Sequence, residues 1–343
     1  MEKIRLGRTN LMVTRTSFGV LPLQRTPMEE AIRILKRAYE AGINFYDTAR
    51  GYTDSEEKIG RALSDVRDYI IIATKNNGST RKDVVEQLQT SLKALRTDYV
   101  DILQLHNPRT LPDPEDPESA YAGLLEAREK GMARFIGITS HSLERAKIAV
   151  KSGLYDTLQY PLCHLSSADD LSVIELCAGL DVGLIAMKPL SGGLITNARA
   201  AFAFFRQYET VVPIWGIQSM NELETFLALD ANPPEFDASI RAAIEQDRRE
   251  LSEEFCRACG YCLPCPVDIP IPMAARMGLL LKRMPYQQFL TDEWREKMLR
   301  INNCQDCGSC REKCPYNLNP PALLRKMLGI YEEFYQEHKA NGS

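Results

Sequence analysis

Eight cysteines in two closely spaced runs constrain this chain more than any other feature. The first run has cysteines at 256, 259, 262 and 265, the second at 304, 307, 310 and 314, and a proline follows each run. Three thiolates spaced by two residues surround one face of an iron–sulfur cluster, and the fourth cysteine often ligates a second cluster. The runs therefore predict two [4Fe–4S] clusters with these ligands: Cys256, Cys259, Cys262, Cys265, Cys304, Cys307, Cys310 and Cys314.

Zinc is the alternative occupant of these cysteines. Paired C-x2-C motifs also form zinc ribbons, and the first run has two residues instead of three before its fourth cysteine. Zinc sites, however, do not usually place three or four cysteines in one run followed by proline. Disulfides are not expected, because no apolar export segment is seen and 343 residues can fold without them. Cys163 and Cys177 lie in apolar surroundings and are predicted to be core residues.

Charge and composition exclude several classes of function. The formal net charge is −4 and 44% of the residues are hydrophobic, which favours a sizeable core and gives no basic surface for nucleic acid. No apolar run approaches the ~18 residues of a membrane helix. Clustered cysteines without an export signal predict the reducing cytoplasm. We therefore expect a cytoplasmic protein that binds neither nucleic acid nor membranes.

Before the cysteines, short runs of Val, Ile and Leu alternate with amphipathic stretches. Continuous apolar strands suit a parallel sheet buried on both faces, and strand followed by helix eight times predicts an α/β fold, the (β/α)8 TIM barrel. A doubly wound sheet is the alternative, but no G-x-G-x-x-G follows the first strand. The predicted strands are 17–20, 44–46, 69–74, 100–105, 133–138, 155–160, 182–187 and 211–217, and the predicted helices are 28–41, 55–63, 81–95, 117–130, 143–151, 168–179, 198–208 and 221–229.

A second domain is predicted to follow the barrel. Asn232-Pro-Pro-Glu is the best linker signal, so the barrel is assigned to 1–232 and the domain with the cysteines to 233–343. The second domain is expected to be small and mainly helical. It is predicted to have an extended segment at 270–273, helices within 274–300 that break at Pro285, and a last helix at 320–338.

Ionisable side chains follow three consecutive predicted strands. Asp47, Lys75 and His106 end the second, third and fourth strands, and Tyr52 follows the second by a short loop. A carboxylate would hold the ammonium, which would lower the phenol pKa from ~10 and let it protonate a carbonyl oxygen as hydride arrives. The imidazole would orient that oxygen. Each residue alone also fits a structural role as a cap or packing residue, so the prediction depends on the four together.

The stretch 45–60, Phe-Tyr-Asp-Thr-Ala-Arg-Gly-Tyr-Thr-Asp-Ser-Glu-Glu-Lys-Ile-Gly, resembles the best-known segment of the aldo-keto reductase family. The resemblance covers roughly residues 1–230. It implies that Asp47, Tyr52, Lys75 and His106 form the catalytic tetrad, and that NAD(P)H binds extended across the barrel mouth without a Rossmann motif. With its cysteine runs, the whole chain resembles the subgroup that has a C-terminal ferredoxin-like domain.

The resemblance also implies a set of cofactor contacts. Thr139 and Ser140 stand where the family holds the carboxamide, and the loop 187–193 stands where backbone N–H groups could cradle the pyrophosphate. Glu222 lies in the adenosine segment, where its charge would repel a 2′-phosphate and accept from a free 2′-OH, which favours NADH over NADPH. The implied contacts are Gly19, Asp47, Thr139, Ser140, Gln159, Met187 in place of a frequent aromatic, Lys188, Pro189, Leu190, Gly192, Gly216, Gln218, Glu222 and Thr225.

Three functions are open at the level of sequence. The predicted one is an NAD(P)H-dependent carbonyl reductase that carries two clusters. The second is an electron-transfer protein that links NAD(P)H to a ferredoxin, another electron carrier or a quinone-like acceptor. A nicotinamide passes two electrons as hydride and a cluster passes one, so this route needs an intermediate that accepts both, and no flavin motif is seen. The third is a non-catalytic redox sensor built on the barrel.

Overall fold

The apolar segments predicted as strands form a closed barrel of parallel strands. From the third strand to the tenth, neighbours in the chain are neighbours in the barrel, and the tenth closes on the third. This confirms the predicted barrel and excludes the doubly wound sheet. The strands are β1 (Lys3–Arg5), β2 (Met12–Thr14), β3 (Ser17–Gly19), β4 (Phe45–Asp47), β5 (Ile71–Asn76), β6 (Val100–His106), β7 (Ala133–Thr139), β8 (Thr157–Pro161), β9 (Gly183–Met187) and β10 (Val211–Gly216).

Each predicted helix between the strands is also present, with small shifts at the ends that follow from capping. For example, α4 begins at Ala120 because the Ser119 side chain accepts from the N–H of Ala122 and fixes the first turn there. The helices of this region are α1 (Met28–Glu40), α2 (Ser55–Leu63), α3 (Arg81–Leu95), α4 (Ala120–Glu129), α5 (Leu143–Lys151), α6 (Ala168–Gly179), α7 (Ala198–Arg206) and α8 (Met220–Ala231).

The hairpin of β1 and β2 packs against the N-terminal end of the barrel. Its Leu6 and Val13 share one buried cluster with Phe45, Ile102 and other residues of the barrel interior. At the tight turn Gly7 has φ +50°, and a Cβ there would lie 2.3 Å from the backbone nitrogen of Gly183, so only glycine fits. The hairpin therefore fills the end of the barrel opposite to the strand ends that carry the predicted polar groups.

This computed structural model describes residues 1–251, 256–258, 260–314 and 316–340, without the side chains of 283, 339 and 340. The chain forms two compact units, Met1–Leu190 with Asn197–Ile244, and Ser191–Thr196 with Glu245–Ser343. The loop that follows β9 is thus grouped with the second unit. The later division between the two units, after Ile244, falls within the helix α9 (Ala238–Leu251). Among the described residues, no helix combines the length and apolar character needed to cross a bilayer.

The second unit is mainly helical, as predicted. Its buried cluster includes Ile271, Met277, Leu324 and Tyr331, and several of the cysteines pack against it. The break at Pro285 is confirmed, because the residue before it is extended and ends the preceding helix. Its helices are the C-terminal part of α9 (Ala238–Leu251), α10 (Ile271–Ala274), α11 (Met277–Arg283), α12 (Asp292–Leu299), α13 (Ser309–Glu312) and α14 (Pro320–Ala340).

One local prediction in this unit is wrong. The segment 270–273 was expected to be extended, but α10 begins at Ile271. Pro272 occupies the first turn of that helix, where a proline loses no intrahelical hydrogen bond.

Candidate active site and cysteine-lined cavities

The carboxylate and the ammonium predicted at the ends of β4 and β5 form a buried ion pair. Lys75 Nζ lies 2.6 Å from Asp47 Oδ1 and donates a second hydrogen bond of 2.6 Å to the Thr48 carbonyl. The two charged side chains are only 1% and 3% exposed. Asp47 is paired with Ala73 in the parallel register, two residues before Lys75, so both side chains leave the same face of the sheet.

Two amide side chains complete the surroundings of Asp47. Gln159 Nε2 lies 3.3 Å from Asp47 Oδ1, while Gln104 Nε2 lies 3.4 Å from Asp47 Oδ2 and 3.0 Å from Gln159 Oε1. Burial raises the pKa of Asp47 and lowers that of Lys75, and each charge opposes the shift of the other. Gln104 was not among the predicted site residues, although a lone glutamine inside an apolar strand is a signal of such a role.

Tyr52 lies beside this ion pair. Lys75 Nζ is 5.2 Å from the centre of the Tyr52 ring, and that ring meets His106 edge to face, with centroids 5.6 Å apart. Burial, together with the charge of Asp47, raises the pKa of Tyr52. The expectation that Lys75 would lower this pKa is therefore wrong, because the ammonium is turned toward the Asp47 carboxylate and the Thr48 carbonyl. Tyr52 keeps its proton at neutral pH.

His106 ends β6 and is a neutral imidazole. Burial, with a further contribution from the Lys75 charge, lowers the pKa of His106 to about 3. Its Nδ1 is buried and has no hydrogen-bond partner within the part of the chain that the structure describes. A neutral imidazole has one N–H donor and one acceptor, so His106 can donate to a carbonyl oxygen without carrying charge. The four predicted residues of the tetrad thus lie together at the ends of β4, β5 and β6.

The hydroxyl groups of the two residues predicted to hold the carboxamide differ in the hydrogen bonds they already make. Thr139 Oγ1 accepts from the backbone N–H of Asn107 at 2.9 Å, which leaves its own O–H as a donor. Ser140 Oγ donates to the carbonyl of Ser142 at 3.0 Å and accepts from the N–H of Ser142 at 3.1 Å. Thr139 is therefore the better placed of the two to donate to a ligand.

The segment after β9 has an unusual backbone. Lys188 has φ +58°, and Ser191, Gly192 and Gly193 follow with φ of +48°, +73° and +101°. Successive left-handed residues turn backbone N–H groups into concave anion-binding nests. Ser191 is 3% exposed, and its Oγ has no hydrogen-bond partner among the described residues. Within the second unit a Cβ on Gly192 would lie 2.4 Å from the Leu279 side chain, so glycine is required there.

The remaining contacts of that loop are modest. Met187 and Leu190 are half-buried, Pro189 is buried, and Lys188 Nζ lies 3.4 Å from His141 Nδ1. Met187, Lys188, Pro189 and Leu190 stay predicted cofactor contacts.

The predicted adenosine segment is organised by the start of α8. Ser219 caps the helix by accepting from the N–H of Glu222 at 3.2 Å, and Glu222 Oε2 accepts from the N–H of Gln218 at 2.8 Å. Gln218 Oε1 is buried and has no partner among the described residues. Glu222 thus stabilises the helix start, where its negative charge is also favoured by the helix dipole. Thr225 is exposed and bonds the carbonyl of Asn221 at 2.8 Å.

Glycines mark the strand ends beside this segment. Gly19 and Gly216 are paired where β3 meets β10. A Cβ on Gly216 would lie 3.1 Å from Pro22, and a Cβ on Gly19 would lie 3.2 Å from the Trp215 carbonyl. Side chains at these two positions would crowd the backbone that ends the strands.

The cysteines of the second unit line two cavities. The first cavity, of about 420 Å³, is lined by Cys256, Cys262 and Cys314. The second cavity, of about 450 Å³, is lined by four further thiols and also reaches Cys262. The predicted ligand Cys259 lies outside the described residues. The fourth cysteine of each run thus lies with the first cysteines of the other run, and the four thiols of the second cavity are Cys265, Cys304, Cys307 and Cys310.

The backbone repeats from one run to the other. Ala258 and Gly260 in the first run have positive φ, as do Asp306 and Gly308 at the matching positions of the second. Asp268 and Asn317, each three residues after the last cysteine of its run, repeat the pattern. Left-handed residues among right-handed ones form the nests that iron–sulfur sites use to donate N–H groups to an anionic cluster. The thiols and the backbone therefore both fit [4Fe–4S] clusters.

Comparison with known proteins gives matches to both parts of the chain. The family described as Aldo/keto reductase family matches residues 15–228, and the 4Fe-4S dicluster domain matches residues 255–319. The chain is 31% identical over 218 residues to L-galactose dehydrogenase of Arabidopsis thaliana, covering 57% of this chain and 68% of that protein. It is 31% identical over 196 residues to L-glyceraldehyde 3-phosphate reductase of Escherichia coli strain K12, covering 50% and 55%.

Other similarities are weaker in sequence. A protein of Oryza sativa subsp. japonica named "Probable voltage-gated potassium channel subunit beta" is 28% identical over 223 residues, covering 58% of this chain and 67% of that one. The structure of an aldo-keto reductase from Bacillus halodurans in its holo form superposes with a TM-score of 0.64 at 23% identity, covering 72% of this chain and 96% of that one. At that identity the superposition supports the barrel fold alone.

Proposed function

Because the chain belongs to the aldo/keto reductase family, we propose that it reduces a small-molecule carbonyl with hydride from a nicotinamide and with Tyr52 as the proton donor. The observation that carries this proposal is the position of Tyr52. Its ring lies beside the ammonium of a buried ion pair on one side and a neutral imidazole on the other. A phenol beside an ammonium and an imidazole is an arrangement suited to protonating a carbonyl oxygen.

Each residue of the tetrad has a distinct role. Tyr52 holds its proton at neutral pH, so the acid form needed for donation is fully populated. As the carbonyl oxygen gains negative charge, it becomes basic enough to take that proton from Tyr52. Asp47 keeps Lys75 charged and oriented through the 2.6 Å ion pair. His106 donates a neutral N–H to the same oxygen.

A bound nicotinamide would supply the hydride, and several groups of the chain fit such a ligand. Buried polar atoms without partners among the described residues, His106 Nδ1 and Gln218 Oε1, need a ligand or water to bond. Thr139 would donate to the carboxamide, and the loop from Met187 to Gly193 would cradle the pyrophosphate. Glu222 places a negative charge in the adenosine segment, so we propose NADH as the preferred form.

We further propose two [4Fe–4S] clusters, one for each cavity. Cys256, Cys262 and Cys314 would hold the first together with the cysteine at 259, and the four thiols of the second cavity would hold the second. Cys310 supports this grouping, because burial raises its pKa and the charges of Cys304, Cys307 and Cys265 add to the shift. The clusters supply one-electron storage when bound.

A second candidate function, electron transfer between NADH and a one-electron carrier, is favoured by one observation. The walls of the two cavities share Cys262 and Ile271, so the two clusters would be neighbours. Two adjacent clusters would together hold the two electrons of one hydride. A quinone-like substrate would be the acceptor that takes both hydride and single electrons.

The test compares two tyrosine-to-phenylalanine variants of the full chain, purified anaerobically. Tyr52→Phe is expected to lower kcat/KM for a simple aldehyde by about 10²- to 10⁴-fold, with unchanged NADH affinity measured by fluorescence titration. Tyr155→Phe is the matched control, since Tyr155 is also buried but contacts Tyr121 instead of the tetrad. Equal turnover in both variants would contradict the reductase. Bleaching of the clusters by NADH in the presence of a quinone, unaffected by Tyr52→Phe, would favour the second candidate.

A further inference from the structure

The two cysteine-lined cavities differ in the charged residue that each has in its wall. Among the described residues that line the first cavity, the one with a charged side chain is Arg257. Among those that line the second cavity, it is Asp306. One cavity therefore has a cation beside its thiols and the other has an anion.

The two cysteine runs, which carry these different charges, repeat the same backbone conformation. Arg257 and Ala258 stand between the first two cysteines of the first run, and Gln305 and Asp306 stand between those of the second. The second residue of each pair has positive φ, +58° and +49°, and a glycine with positive φ follows two residues later in both runs. The same backbone thus presents side chains of different charge to the two sites.

The two charges also differ in how strongly they act. Arg257 is 4% exposed, and its guanidinium lies 3.9 Å from the centre of the Tyr316 ring, which also lines the first cavity. Asp306 is exposed and forms an ion pair with Arg325, whose side chain is 55% exposed. A charge in a low-dielectric wall acts on its neighbours much more strongly than an exposed charge that water screens.

A second cation lies on the side of the first cavity. Arg276 Nε donates to the carbonyl of Pro272 at 2.9 Å, and Pro272 lines that cavity. Arg276 therefore adds a second cation on this side of the first cavity.

Resting on the two-cluster proposal above, we infer that Arg257 raises the reduction potential of the cluster in the first cavity above that of the cluster in the second. Reduction adds one negative charge to a cluster, and a buried cation stabilises that added charge. Burial alone would oppose reduction of an anionic cluster, and the Arg257 charge offsets this cost in the first cavity. A single electron that enters by the exposed Cys307 side would therefore come to rest on the first cluster.

The experiment is an anaerobic redox titration of the full chain, followed by electron paramagnetic resonance and visible absorption. The wild type is expected to show two steps, with one cluster reduced first. Arg257→Gln is expected to move the higher step to lower potential and to leave the lower step in place. Arg257→Lys, which keeps the charge, is expected to stay near the wild type. Asp306→Asn is expected to raise the lower step by a smaller shift, because Asp306 is exposed.

Iron and sulfide analysis of each variant separates the possible failures. Wild-type protein without iron and sulfide would overturn the proposed clusters themselves. If Arg257→Gln protein contains both clusters and its two reduction potentials are unchanged, or shift by the same amount, the role of Arg257 is overturned while the two-cluster proposal stands. If Arg257→Gln does not load its clusters, Arg257→Met, which also removes the charge but keeps the apolar stem, takes its place in the comparison with the wild type. Unmoved steps in every loaded variant would then overturn the inference.

Discussion

In the barrel, the polar groups of the site bond to one another, whereas in the second unit the thiols face cavities. Asp47 is held by Lys75 and two glutamine amides, and these side chains leave the parallel strands of the barrel. The cysteines instead sit on loops and on one short helix, since α13, which carries Cys310, has four residues. A site whose buried ion pair is held by side chains of the barrel is organised by the chain, while a site of thiols around a cavity is organised by what fills it.

The largest effect expected in the barrel comes from breaking the ion pair. Lys75→Met would leave the Asp47 carboxylate buried without a counter-charge, which is expected to lower the free energy of unfolding by about 3–5 kcal/mol. Urea unfolding measures this through Trp215, which is buried in the barrel, in a Trp294→Phe background that removes the tryptophan of the second unit.

Two further variants serve as controls for the unfolding of Lys75→Met. The double variant Asp47→Asn with Lys75→Met is expected to recover part of the loss, since no unpaired charge remains. Lys82→Met, which breaks an exposed pair with Glu86, is expected to change stability by less than about 1 kcal/mol. An equal loss in the Lys75 and Lys82 variants would show that the barrel site is not held by its own ion pair.

A smaller effect is expected from His106 as the pH falls. Burial lowers its folded-state pKa to about 3, below the unfolded value of about 6.5. The unfolded chain therefore binds more protons between these values, so the contribution of His106 to stability is present above pH 6.5 and is lost as the pH falls toward 3. Unfolding of the wild type and of His106→Gln, followed through Trp215, should converge over that interval. Parallel pH profiles of the two chains would contradict a buried, neutral His106.

The smallest effect concerns the choice of nicotinamide. The wild type is expected to prefer NADH, and Glu222→Gln should reduce this preference several-fold, because the amide oxygen still accepts from Gln218 while the charge is gone. Glu224→Gln, on the same helix and paired with Arg37, is the matched control. The ratio of kcat/KM for the two cofactors measures the preference. A wild-type preference for NADPH would refute the role proposed for Glu222.

The meeting of Asp47, Lys75 and His106 could be predicted from the sequence because a parallel barrel brings the ends of β4, β5 and β6 together whatever the loops do. The spacing of the cysteines predicted that the fourth cysteine of each run would join the other run, and Cys265 and Cys314 do line the cavities of the other run. The contact of Gln104 with Asp47 was not predicted, because it depends on which face of β6 turns toward Asp47. The direction of the Tyr52 pKa shift was also not predicted correctly. It depends on where the Lys75 ammonium points, and no sequence pattern specifies the contact of that ammonium with the Thr48 carbonyl.

The comparison between the two regions is tested most directly by hydrogen–deuterium exchange on the cluster-loaded chain and on the same chain after anaerobic removal of iron. The account predicts that peptides from β4, β5 and β6 keep their slow exchange, while peptides from 260–314 lose protection when the cavities are emptied. Equal protection of 260–314 in both forms would contradict an organising role for the clusters. Loss of protection in β4 to β6 would contradict a barrel site that is held by the chain itself.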